Sequence, residues 1–194
     1  MKTLLVTGFD PFGGETVNPA WEAVRRLPDT IGPWKIHRLM VPTVFGLACE
    51  TAAQEAERIG ADAIVCVGQA GGRKAATPEM IGVNLRFGSI ADNAGNAPQD
   101  EPCVPGGPAA YFSTLPVREM AKAIQDAGIA GAVSYSAGAF VCNDLLYSLL
   151  HRFPGKPVGF IHVPFLPQQA KEGVPSMALD DIIRALESAI GVLK

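Results

Sequence analysis

The sequence predicts an α/β fold in three layers, a mostly parallel twisted sheet with helices on both faces. Three observations predict it. Apolar runs of strand length alternate with amphipathic runs of helix length, and that βαβα order calls for a parallel sheet covered on both sides. The chain has 194 residues, 48% hydrophobic and 18% charged, enough to bury a full core without disulfides or metals. No internal repeat, low-complexity tract or interdomain linker divides it, so residues 1–194 are expected to form a single domain.

The elements follow in order. Lys2–Thr7 reads as a first strand, too short and too soon broken to be a signal peptide. Asn18 caps a helix that Pro19 opens and that runs through Leu27. Ile36–Val41 is strand, and Gly46–Ile59 is helix, stopped by Gly60. Ala63–Gly68 is strand; Met80–Phe87 alternates and is a strand or a hairpin arm. Gly88–Pro108, rich in Gly, Pro, Asn and Asp, reads as a long functional loop. Pro116–Ala127 is helix, ended by Gly128. The apolar Ala130–Val133 reads as buried, with a strand at Ala132–Ser136. Helix Cys142–Arg152, strand Val158–Val163 and a helix capped by Ser176 and reaching about Ala189 complete the order.

Composition excludes several function classes. A formal net charge of −3 leaves no basic excess to displace counterions from phosphates, which argues against a nucleic-acid partner. No apolar run approaches the ~20 residues of a membrane span. Cys49, Cys66, Cys103 and Cys142 have neither CxxC spacing nor a secretory context, so reduced thiols in a cytoplasm are expected, with no zinc site.

In open α/β sheets ligands bind outside the carboxyl ends of the strands. Those ends are followed here by Gly8–Val17, Gln69–Pro78, Ser136–Val141 and Pro164–Gln169. The third segment leads into Cys142 at the start of a helix. There the positive end of the helix dipole should lower the thiol pKa and favour the thiolate. A thiol nucleophile needs a base. His151 lies on the same helix, about 13 Å along its axis at ~1.5 Å per residue, and faces elsewhere. His37 falls near the amino end of its strand. His162 lies near the carboxyl end of the strand that follows the Cys142 helix, so it is either the base or a satisfied core residue. Glu79, Asp10, Asp92 and Asp144 are candidates to orient it; Glu79 leaves a strand's carboxyl end and fits best. Phe9, Phe12 and Phe140, in segments after strands, either wall an apolar slot or pack under loops. The glycine-rich segments Gly8–Glu15 and Gly68–Lys74 match neither GxGxxG nor GxxxxGK[ST], a weak nucleotide signal. Cys66 reads as buried and inert.

Four motifs in order resemble the pyroglutamyl peptidase type I family of cysteine peptidases. They are Thr7-Gly8-Phe9-Asp10-Pro11-Phe12-Gly13-Gly14 with Asn18-Pro19; Gly68-Gln69-Ala70-Gly71-Gly72-Arg73 leading to Glu79 and Asn84; Ser136-Ala137-Gly138 through Cys142-Asn143; and Gly159-Phe160-Ile161-His162-Val163-Pro164. The resemblance runs nearly end to end. It implies Cys142 as nucleophile, His162 as base and Glu79 as orienting acid, in removal of an N-terminal pyroglutamyl residue from peptides. It also implies that Phe9, Phe12, Thr43, Ile90, Phe140 and Val141 bind the lactam ring, with Gln69 on the polar side and Asn18 from the opening motif. No cofactor or metal is implied, and a homotetramer is. Met80, Gly82 and Ser89 depart from the family pattern; Ser89 stands where an active-site arginine is usual, and Arg73 or Arg86 is a candidate replacement. Two other readings stay open, a weakened pyroglutamyl-peptide binder and a nucleoside- or phosphate-handling enzyme on a similar sheet.

Overall fold

A computed structural model describes residues Met1–Lys194. The elements are β1 (Lys2–Phe9), α1 (Pro19–Val24), β2 (Thr30–Ile31), β3 (Trp34–Val41), α2 (Leu47–Arg58), β4 (Ala63–Gln69), β5 (Thr77–Pro78), β6 (Ile81–Val83), β7 (Ala110–Phe112), α3 (Val117–Asp126), α4 (Val141–Arg152), β8 (Val158–Val163) and α5 (Leu179–Gly191). The main sheet has the order β2-β3-β1-β4-β8-β5, and β6 pairs separately with β7. The central strands β3, β1, β4 and β8 are parallel, whereas β2 and β5 lie antiparallel at the edges, so the sheet is mixed.

The side-chain alternation of the strands divides the core. Leu4, Val6, Val65, Val67, Ile161 and Val163 face α1, α3 and α5. Leu5, Ile64, Cys66 and Phe160 face α2 and α4 on the other side. Burial on both faces is why β4 and β8 read as continuous apolar runs. Each fully buried Leu or Val contributes about 1.5–3 kcal/mol. After α1 the chain adds β3 on one side of β1, and α2 then returns it to β4 on the other side. The winding reverses at β1, which opens a crevice outside the carboxyl ends of β1 and β4. No helix is long and apolar enough to cross a membrane.

Several boundaries differ from the sequence expectation. α1 stops at Val24 because Leu27 precedes Pro28 and is biased away from helix; Arg26 and Leu27 close tight turns onto Ala23 and Val24 instead. α5 starts at Leu179 with Ala178 as its cap residue, and Ser176 forms a bridge to Phe165 rather than a cap. No strand forms at Ala132–Ser136. The segment forms bridges, Gly131 to Ala76 and Ser134 to Glu79, with backbone bonds that join Ala130–Ser134 to Ala76–Met80 and go no further, and Ala130 and Ala132 are exposed. Its neighbour β5 is two residues long and ends in a proline, which cannot donate to a ladder. β2, β5 and β7 are too short to leave an alternation pattern in the sequence.

Candidate active site

β1, β4 and β8 end along one rim of the sheet, and the amino end of α4 meets them there. A cavity of about 390 Å³ lies between, lined by Phe12, Gln69, Arg73, Phe140, Cys142 and His162 among others. A larger hollow of about 650 Å³, against Trp34, Leu115 and Leu193, holds no cysteine or histidine. The smaller cavity is therefore the one with reactive groups.

His162 is the fifth residue of β8, paired with Gly68 on one side and Thr77 on the other. The Glu79 backbone N–H donates to Phe160 O at 2.8 Å, which brings the Glu79 side chain alongside His162. Nδ1 lies 2.6 Å from Glu79 Oε1. A carboxylate can only accept, so Nδ1 carries the proton and Nε2 is left as the proton acceptor. The other three acids are engaged elsewhere. Asp10 accepts from Thr43 N and Oγ1, Asp92 from Phe45 N and the Ala94–Asn96 turn, and Asp144 from Gly46 N and Arg86. His151 bonds the Tyr111 hydroxyl and His37 pairs with Glu55, both away from the thiol.

Cys142 is the second residue of α4. The helix is preceded by Phe140, whose side chain cannot accept a hydrogen bond, so the first-turn N–H groups are left without a side-chain cap. Room for the sulfur comes from Gly68. A Cβ there would sit 3.0 Å from Cys142 Sγ and 2.6 Å from Phe160 Cζ. Asn143 anchors the helix start. Its amide donates to Val83 O and Leu85 O and accepts from Val83 N, a bridge to the end of β6 and the residues after it.

The electrostatics correct one expectation. Burial pushes the Cys142 thiol up, the Glu79 and Cys66 charges add to that, and the result is about 12 despite the opposing pull of Arg73. Burial likewise lowers His162, against the raising effect of Glu79. For Glu79, burial raises the carboxyl but the His162 bond and charge, with Ser134 and Arg73, hold it below the ordinary range. The resting pair is thus a neutral thiol beside a neutral imidazole. A reaction that needs the neutral imidazole gains rate as pH rises through its pKa. The acid limb of kcat/KM is expected below the ordinary histidine value of about 6.5. A pH–rate profile with its acid limb above that value would show Glu79 prevailing over burial.

Gln69 has a defined donor sense. Gln169 accepts from Leu166 N through Oε1 and donates to Val17 O through Nε2, which fixes its own amide. The same Nε2 donates to Gln69 Oε1 at 3.1 Å, so Gln69 keeps its N–H₂ as a donor. Gln169 escaped the sequence reading; its only signal was a place after β8. Phe12 and Phe140 stack obliquely with centroids 6.1 Å apart. Phe9 and Val141 are buried and do not line the cavity; Phe9 packs on Phe160. Asn18 is buried too, its amide used by Ala20 N and Asp10 O, and Thr43 is held by Asp10. Ile90 is 51% exposed and lies outside the lining. Ser89 is exposed as well. Of the two arginines offered in its stead, Arg86 is committed to Asp144 at 2.7 Å, and Arg73 faces the cavity.

A family model described as pyroglutamyl peptidase matches residues 2–194. Pyrrolidone-carboxylate peptidase of Levilactobacillus brevis is 51% identical, over 96% of this chain and 95% of that one. The crystal structure of Bacillus amyloliquefaciens pyroglutamyl peptidase I superposes with a TM-score of 0.95 at 47% identity, covering 98% of this chain and 96% of that chain. Pyrrolidone carboxyl peptidase from Thermococcus litoralis gives a TM-score of 0.91 at 36% identity, with 98% and 92% covered.

Proposed function

The chain belongs to the pyroglutamyl peptidase family, and we propose from that premise that it is a cysteine exopeptidase removing the N-terminal pyroglutamyl residue from peptides. The observation that carries the reading is the buried 2.6 Å bond between His162 Nδ1 and Glu79 at the rim where Cys142 also opens.

Cys142 is the nucleophile, His162 the base and Glu79 the orienting acid. Nε2 of His162 takes the thiol proton as sulfur attacks the carbonyl carbon of the scissile amide. Because the resting thiol is neutral, this transfer accompanies attack. The tetrahedral oxyanion is met by the uncapped N–H groups of the first turn of α4. His162 then gives the proton to the leaving amine, the C–N bond breaks and a thioester remains. Water attacks the thioester, its proton passes to His162 and then to sulfur, and free pyroglutamate leaves. Phe12 and Phe140 offer apolar walls to the lactam ring, and the free Gln69 N–H₂ suits its carbonyl. Phe9, Asn18, Thr43 and Val141 are buried outside the cavity lining, and Ile90 belongs to a loop that is tied to Asp10 and Pro11 through Asn93. Residues 1–194 act as one catalytic domain in the cytoplasm, assembled by family resemblance as a homotetramer.

A fluorogenic pyroglutamyl amide tests the reading. Turnover that is lost on thiol alkylation is expected. Binding of the amide without turnover would overturn it in favour of a binder, and stabilisation by nucleosides or phosphate with indifference to pyroglutamate would overturn it in favour of the other chemistry.

A further inference from the structure

We infer that Arg73 is a positioning residue for the reaction, a planar clamp that holds the Glu79 carboxylate and the Ser136 carbonyl together and thereby sets both the bearing of His162 and the cavity wall that leads to Cys142. The inference rests on the peptidase reading above.

Nη1 of Arg73 donates to Glu79 Oε1 at 2.7 Å and to Thr77 Oγ1 at 2.5 Å, while Nη2 donates to Ser136 O at 3.0 Å. These acceptors come from β5 with the residue after it and from the segment before α4, whose backbone bonds to each other end at Ser134. A guanidinium can reach them together because its donors lie in a fixed plane, whereas an ammonium is a point donor. Ser136 begins the small-residue run that reaches the nucleophile, and Ser136, Ala137 and Gly138 line the cavity. Backbone bonds join Ala130–Ser134 to Ala76–Met80 and stop short of Ser136. Beyond Ser134 no backbone bond to residues 76–80 continues, and Arg73 extends the tie to Ser136.

The clamp also loads one oxygen. Glu79 Oε1 serves both His162 and Arg73, and Oε2 is buried without a protein partner. The Ser134 hydroxyl, which donates to Ser136 O, faces the same carboxyl. Shared with a permanent cation, Oε1 stabilises an imidazolium less than it otherwise would. The charged and titratable groups facing the imidazole are Glu79 from the end of β5, Arg73 from the loop after β4, and Cys142 from α4, with Cys66 of β4 behind the sulfur. Arg73 is the one permanent cation in that set. Its charge opposes protonation of His162 and favours ionisation of Cys142. Arg73 thus keeps the base unprotonated for its first step.

Arg73→Met and Arg73→Lys test this in two ways. The His162 ring is titrated by NMR in a Cys142→Ser background, which needs no turnover and so stands apart from any failure of the peptidase reading. The Met variant should raise the imidazole pKa by at least about half a unit, and the Lys variant, which keeps the charge, should leave it nearly in place. In the Cys142 protein, both should lower kcat, the Met variant by about tenfold or more, with KM changed less than about threefold. An unmoved titration in the folded Met variant would overturn the proposal. So would a raised KM with kcat preserved, which would mark a substrate contact. If the Met variant does not fold, an unchanged kcat in the Lys variant overturns it as well.

Discussion

Replacing Cys142 by serine is expected to abolish turnover of a pyroglutamyl amide, by at least about 10⁴-fold, while Cys66→Ser leaves the rate near normal. Cys66 is close enough to raise the Cys142 thiol, so a general disturbance would strike both variants. They differ in access. Cys142 opens on the cavity beside His162, whereas Cys66 is buried in the core with its thiol pushed up to about 12 by burial. A serine hydroxyl at 142 is a far weaker nucleophile facing the same base. At 66 the hydroxyl meets Thr7, its ladder partner, whose Oγ1 is buried and unpaired. That partner offsets part of the ~1–3 kcal/mol cost of burying an unpaired hydroxyl. Rates measured on both variants, with melting curves to show each is folded, decide the matter. Equal losses in the two would mean that the thiol assignment is wrong.

A single methyl group at Gly68 should produce the second-largest effect. Gly68 pairs with His162, and a Cβ there would meet Phe160 Cζ at 2.6 Å and Cys142 Sγ at 3.0 Å. Phe160 cannot retreat without pressing on its neighbours, since its ring lies 4.7 Å from the His162 ring and 6.3 Å from Phe9. Gly68→Ala is therefore expected to destabilise the fold by about 1–3 kcal/mol through overpacking. It should also cut kcat/KM by about 100-fold, because a displacement near 1 Å in reacting groups has that scale of effect. Denaturant titration and steady-state rates measure the two parts. An alanine variant with both stability and rate unchanged would mean that the sulfur is not seated against β4.

The sequence by itself determined the layers and marked the candidate reactive side chains. Period and punctuation are local, so the buried runs of β1, β4 and β8 and the helical faces of α2, α3 and α4 could be read from neighbours a few residues apart. Val158–Val163 matches its observed strand end to end. Ordered motifs likewise marked Cys142, His162 and Glu79 as a set. Tertiary structure alone decided what depends on distant chain. The order of the strands brings Glu79, which the sequence already favoured over Asp10, Asp92 and Asp144, within bonding distance of the imidazole. Only burial of the sulfur reverses the expected direction of its pKa, since desolvation scales with everything packed around a group rather than with its place on one helix. The mixed edges of the sheet, the short pairing of the segment before α4 and the Arg73 clamp beyond its end are of the same kind. Each arises from contacts between segments that the sequence writes far apart, and no local pattern records them.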